Sequence, residues 1–153
     1  MKPEIFLVTG EINTGKTTRL KTWAINQKNF FGILTPKEGG IRLFENVSSA
    51  EKWPMEAVGE EEFLEVGRYQ FSKMAFQKAE KVIIEAIDAN GERNLILDEI
   101  GPLELRDYGF AELLKIAIEK AEMDSDLKLI VVVRTGLVEE VSRKFGLAFT
   151  GTI

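Results

Sequence analysis

The chain has 153 residues, of which 44% are apolar and 29% are charged, and its formal net charge is -5. This composition is typical of a folded protein with a sizeable core, and it excludes an intrinsically disordered chain. The negative charge disfavours nucleic-acid binding, which needs an excess of Lys and Arg to neutralise phosphates.

Two absences restrict the chemistry further. The chain contains neither Cys nor His, which excludes thiolate zinc sites, Cys nucleophiles and imidazole acid-base catalysis. No apolar run approaches the roughly 20 residues that cross a bilayer, and the opening residues lack a signal-peptide pattern. We therefore expect one cytoplasmic domain over residues 1–153, with no membrane contact.

The apolar pattern predicts alternating strands and helices along the chain. A hairpin is predicted around residues 36–47, and the Glu-rich residues 48–70 suggest a short strand plus loop. The stripe from Met74 to Ile87 predicts a helix that Gly91 terminates. Strands are predicted at 4–8, 31–35, 41–47, 94–98, 127–133 and, at an edge, 147–153. Helices are predicted at 17–27, 72–90, 108–123 and 136–146. This order predicts an α/β fold with a mostly parallel central sheet and helices on both faces.

The segment GEINTGKTT follows the first strand and matches the pattern G-x-x-x-x-G-K-[ST] of a phosphate-binding loop. Its glycines allow a tight turn whose N–H groups face phosphate oxygens, at the N-terminus of a new helix. We expect Lys16 to reach the β- and γ-phosphates and Thr17 to ligate Mg²⁺. A Gly-rich turn with an exposed Lys is the alternative. The predicted nucleotide-binding residues are Gly10, Glu11, Ile12, Asn13, Thr14, Gly15, Lys16, Thr17 and Thr18.

Two adjacent acids, Asp98 and Glu99, follow the apolar strand NLIL. We expect this strand to lie beside the first one, so that Asp98 faces the phosphate loop and binds Mg²⁺, through coordinated water. Glu99 is predicted to orient or deprotonate the attacking water. The alternative is an acidic strand end that caps the next turn.

Positive charge near the γ-phosphate is also needed in the transition state. The candidates are Arg42, Arg68 and Arg134. Arg134 is the best placed, because ligands of such sheets gather at the carboxyl ends of strands.

GEINTGKTT and DEIGPLEL together resemble the small P-loop nucleoside-triphosphatase family that includes the cancer-related nucleoside triphosphatase. VGRY and GILT also match the layout of that family. The resemblance implies a three-layer P-loop NTPase fold of the kinase-like group with a β-hairpin insertion. It also implies slow, base-tolerant, Mg²⁺-dependent hydrolysis. Glu104 lies on a motif position, where a cap of the helix near Tyr108 is one interpretation. The hairpin segment PKEGGIRLF is shorter than in the family, so we expect a different substrate cover.

Two other functions remain open. A phosphotransferase would use the same loop, metal and carboxylates on a small acceptor, and a nucleotide-gated module would contact a protein partner. A regulatory GTPase is disfavoured, because the chain contains no N-K-x-D segment for reading guanine.

Overall fold

The strands and helices largely follow the predicted alternation. The computed structural model describes residues 3–10, 19–20, 22–23, 29–59, 61–66 and 69–153. The strands are β1 (Glu4–Gly10), β2 (Phe30–Leu34), β3 (Lys37–Glu38), β4 (Ile41–Asn46), β5 (Lys52–Pro54), β6 (Phe63–Val66), β7 (Tyr69–Ser72), β8 (Arg93–Leu97), β9 (Leu127–Arg134) and β10 (Gly151–Thr152). The helices are α1 (Lys73–Asp88), α2 (Pro102–Leu105), α3 (Ala111–Met123) and α4 (Val138–Phe145), with a 3-10 turn at Thr135–Leu137. Residues 19–20 and 22–23 are also helical.

The central sheet has the strand order β10-β1-β9-β8-β2-β4-β3, and β5 pairs with β4. Strands β10, β1, β9, β8 and β2 are parallel, whereas the hairpin strands are antiparallel. The expected adjacency of the first strand and the strand before Asp98 is wrong, because β9 lies between them. Leu97, the last residue of β8, and Leu7 of β1 are both register partners of Val131, so β1 continues past the end of β8 to Gly10 at the same edge of the sheet.

Apolar residues on both faces of the central strands divide the core into two layers. On one face, Leu97 and Val131 pack in the cluster that contains α1, α3 and α4. On the other face, Ile96 and Val132 pack with Leu20, from the helical residues that follow β1. The helices therefore cover both faces of the sheet, as predicted.

Helix α1 is fixed at both ends by polar side chains. The Ser72 hydroxyl accepts a hydrogen bond from Ala75 N at 3.1 Å and caps the first turn. At the other end, the buried Arg93 donates to the carbonyls of Ala86 at 2.6 Å and Ile87 at 2.8 Å. These carbonyls belong to the last turn, where helical partners run out.

Several boundaries differ from the predictions. Met74 is 68% exposed, and Phe76 takes the buried position instead. Helix α3 begins at Ala111 and not near Tyr108, because the unpredicted α2 and its turn come first. Residues 52–72 form three short strands, two of which make a separate sheet. The predicted end of the last helix near Gly146 is confirmed, because Gly146 is the C-cap residue of α4, with φ 64°. No helix in the described part of the chain is long and apolar enough to cross a membrane.

Candidate functional site

The candidate site lies at the carboxyl edge of the parallel strands. Gly10 ends β1, and its register partner on β9 is Arg134. The loop residues Glu11, Ile12, Asn13, Thr14, Gly15, Lys16, Thr17 and Thr18 lie outside the described residues. The chain is described again at Arg19, which is helical and donates a hydrogen bond to the carbonyl of Thr9. A strand and a helix therefore flank the predicted phosphate loop.

Asp98 is a buried carboxylate at this edge, with 2% of its surface exposed. It follows β8 directly, and its Oδ2 accepts a hydrogen bond from Thr35 N at 2.9 Å. Burial, joined by the neighbouring Glu99 carboxylate, raises the pKa of Asp98 to about 6, although the Thr35 N–H acts in the opposite direction. The backbone N–H of Glu99 also lowers this pKa. A buried carboxylate costs free energy unless a cation accompanies it, so this position favours a bound cation.

The surroundings of Asp98 fit a hydrated divalent cation. The Thr35 hydroxyl lies near the same carboxylate but outside hydrogen-bond geometry, and its buried oxygen has no partner in the described chain. No cluster of three or more acidic side chains able to hold a metal occurs among the described residues. Mg²⁺ typically needs only one or two carboxylates when substrate phosphates and water complete its shell. Asp98 and Thr35 suit that arrangement.

Glu99 adopts a left-handed backbone conformation with φ 54°. Such a conformation costs a non-glycine residue on the order of 1 kcal/mol or more, and it is concentrated at functional sites. The turn brings the Glu99 carboxylate to the hairpin, where its Oε2 lies 3.6 Å from Nη1 of Arg42. The Glu99 side chain is 43% exposed, so it remains accessible to water.

The structure places two of the three candidate arginines at this site. Arg134 is half-buried at the end of β9 and lines the same cavity as Glu99. Its guanidinium makes no ion pair within the described part of the chain. Arg42, which sequence reasoning ranked below Arg134, contacts Glu99 directly. Arg68 lies outside the described residues.

Glu104 joins two helix starts beneath the acid pair. Its Oε1 accepts from Gly101 N at 2.8 Å and its Oε2 accepts from Phe110 N at 3.0 Å. Burial raises the pKa of Glu104 to about 7, whereas both N–H donors lower it. The interpretation of Glu104 as a helix cap is confirmed, since Phe110 is the N-cap residue of α3.

A cavity of about 350 Å³ opens beside the acid pair. Its inner wall is apolar and includes Phe44, Phe76 and Phe110, whereas Thr35, the acidic residues and three arginines form its polar side. Sequence reasoning missed both this cavity and the place of Thr35. A polar residue directly after a strand, as Thr35 is after β2, was the available signal for the latter.

Comparison with known proteins agrees with this geometry. The family described as NTPase matches residues 5–148. THEP1 from the hyperthermophile Aquifex aeolicus has a TM-score of 0.70 and 20% identity, over 97% of this chain and 87% of that protein. A human cancer-related nucleoside triphosphatase has a TM-score of 0.59 and 23% identity, over 92% of this chain and 84% of that protein. No curated protein sequence matches the chain significantly.

The two solved structures share the three-layer P-loop NTPase fold with its mostly parallel sheet. The family match covers nearly the whole chain, and the family implies binding of a nucleoside triphosphate together with a divalent metal ion. The chain therefore belongs to the NTPase family and is a nucleoside triphosphatase.

Proposed function

We propose that the chain hydrolyses nucleoside triphosphates to diphosphates and inorganic phosphate in a Mg²⁺-dependent, slow and base-tolerant reaction. The observation that carries this proposal is the buried Asp98 followed by the left-handed Glu99, at the same edge of the sheet as the end of β1. A cation site, a water-activating acid and the start of a phosphate loop then share one edge of the sheet.

Each residue has one task in this proposal. Lys16 holds the β- and γ-phosphates, and Thr17 and Asp98 hold Mg²⁺, which when bound neutralises phosphate charge. Glu99 orients the attacking water and accepts its proton, and Arg42 restrains the Glu99 carboxylate through their ion pair. Arg134 stabilises the charge that develops on the γ-phosphate. The exposure of Glu99 supports a slow rate, because solvent weakens electrostatic catalysis.

A phosphate-release assay with ATP, GTP, CTP and UTP tests the proposal, each with Mg²⁺ and with a chelator. We expect release from all four within about tenfold of one another, since the sequence contains no N-K-x-D segment for reading guanine, and none with the chelator. Lys16→Ala controls for contaminating phosphatases and should abolish release. Release that survives the chelator would contradict the metal assignment. A preference for one base above about 100-fold would contradict base tolerance.

A further inference from the structure

The proposed hydrolysis by water assigns no role to the cavity beside Asp98 and Glu99. Interiors of proteins are close-packed, and an apolar-walled space of about 350 Å³ forgoes many packing contacts. Its volume falls at the lower end of the range for small-molecule sites, and it has the same combination of apolar wall and convergent polar groups. It is far too small for a macromolecular segment with secondary structure. We propose that this cavity binds a nucleoside monophosphate, or a molecule of that chemical class, as a phosphoryl acceptor.

The inner wall fits a flat ring system. Phe76 is the centre of the wall, and its ring lies 4.9 Å from that of Phe44 and 5.3 Å from that of Phe110. Phe71 lies 5.9 Å from the same ring, and Met55 also lines the cavity. Aromatic rings and a thioether favour the faces and edges of another ring. These wall residues are all less than 9% exposed, so the wall is preformed.

The mouth fits a phosphate. Arg106 is exposed at the end of α2, and Arg134 stands beside the phosphate loop strand. Neither guanidinium has an ion pair within the described part of the chain. Arg42 is the third cation on this side of the cavity. One guanidinium group can donate two parallel hydrogen bonds to two oxygens of a phosphate. This set of arginines therefore favours a phosphate monoester over a neutral ligand.

The position of the acids gives the ligand a chemical role, and this step rests on the proposed function. An acceptor phosphate oxygen at the mouth takes the place of the attacking water and forms a bond to the γ-phosphorus. The bond from the γ-phosphorus to the β–γ bridging oxygen breaks, so donor and acceptor both leave as diphosphates. Any proton on the acceptor phosphate passes to Glu99. Water attacks when the cavity holds no acceptor.

Calorimetric titration of AMP, GMP, CMP and UMP into protein saturated with Mg²⁺ and a non-hydrolysable ATP analogue tests the binding. We expect at least one to bind with a Kd below about 1 mM. Arg106→Ala should weaken that binding about tenfold or more. Leu103 also lines the cavity, and Leu103→Trp places a larger side chain there and should remove the binding. Arg143→Ala on exposed α4 is the matched control and should leave the Kd unchanged. Thermal melting of each variant verifies folding.

Each other outcome overturns the inference. No binding by any of the four, or a Kd that both cavity variants leave unchanged, contradicts the site. Binding of the monophosphates that appears only when the ATP analogue is left out means that the cavity holds the base of the donor nucleotide. With γ-labelled ATP, label must appear on the diphosphate formed from the bound acceptor, and label only in inorganic phosphate contradicts the acceptor role. If phosphate is released but no acceptor binds, this inference fails and the proposed function stands. If label is transferred to an added acceptor but no phosphate is released when the acceptor is omitted, the proposed hydrolysis fails and this inference stands.

Discussion

Gly10 and Arg134 are register partners at the ends of the parallel strands β1 and β9. Gly10 is the first residue of the predicted phosphate loop, so Arg134 starts from the neighbouring position on the same edge. The guanidinium also lines the cavity together with Glu99. Arg134 therefore brings a cation to both the start of the loop and the cavity of the acid pair, where charge develops during γ-phosphate transfer.

Arg134→Ala should lower kcat by roughly 10²–10³-fold with a smaller change in KM, because the lost interaction forms mainly in the transition state. Steady-state phosphate release over a range of ATP concentrations measures both constants. Arg143→Ala removes an exposed arginine outside the site and should leave them unchanged. An Arg134→Ala effect on KM alone would assign this residue to ground-state binding.

Glu99→Gln should retain nucleotide binding and slow hydrolysis by roughly 10²-fold or more, because the amide cannot accept the proton of water. Binding of a fluorescent ATP analogue and single-turnover hydrolysis separate the two steps. The substitution also removes the charge that pairs with Arg42 at 3.6 Å, so Arg42→Ala serves as a control for that loss. Hydrolysis at the parental rate in Glu99→Gln would remove Glu99 from the chemistry.

Strand β8 and Asp98 show which features of the fold the sequence predicts and which it does not. An apolar run that ends in an acid predicts a buried strand with a carboxylate at its end, and the 2% exposure of Asp98 confirms the burial. The sequence did not predict that β9 separates β8 from β1. Parallel strands that are buried on both faces are all apolar, so their pattern carries no signal for their order. The sheet order depends on the connections through α3, which leads from β8 to β9, and through α4, which leads from β9 to β10.

The same limit applies within the site. The pattern around residues 10–18 and 98–99 predicts a phosphate loop and an acid pair, and the roles of those side chains stay predictions. The contact of Arg42 with Glu99 joins residues far apart in sequence, and it depends on how the hairpin folds over the strand ends. The cavity is likewise a product of packing among five elements, so local periodicity could not reveal it.

Arg93 gives a test of the fold that is independent of activity. Its guanidinium is 1% exposed and satisfies the last carbonyls of α1, and it lies 3.2 Å from Oδ2 of Asp124. Arg93→Ala leaves those acceptors buried and should lower the free energy of unfolding by roughly 3 kcal/mol or more. Urea denaturation measures the loss. The exposed Arg143→Ala should change it by less than about 0.5 kcal/mol, and similar values for both would contradict the capping role.

Gly109 is required by both its conformation and its contacts. It has φ +60°, and an added Cβ would lie 2.1 Å from Oε2 of Glu104. Gly109→Ala should therefore lower the free energy of unfolding by roughly 2–4 kcal/mol. Gly146→Ala, at φ +64° with no atom within 4 Å of the added Cβ, isolates the backbone strain and should cost about 1 kcal/mol. Equal losses in the two variants would show that the Glu104 contact carries no energy.

The raised pKa of Glu104 predicts how stability depends on pH. Its pKa is about 7 in the folded chain against an ordinary 4.5, so between these values the folded state holds a proton that the unfolded state releases. The contribution of Glu104 to the free energy of unfolding should therefore fall by up to about 3 kcal/mol as the pH rises from 4.5 to 7.

Glu104→Gln removes this titration, and its amide can accept from Gly101 or Phe110 but not from both. Urea denaturation of parent and variant at pH 4.5, 5.5, 6.5 and 7.5 gives the difference between their free energies of unfolding. That difference should favour the parent most at pH 4.5 and decline toward pH 7.5. Asp98 titrates in both proteins, so its contribution cancels in the difference. A difference that stays constant with pH would mean that Glu104 remains ionised in the folded chain, with its two N–H donors outweighing burial.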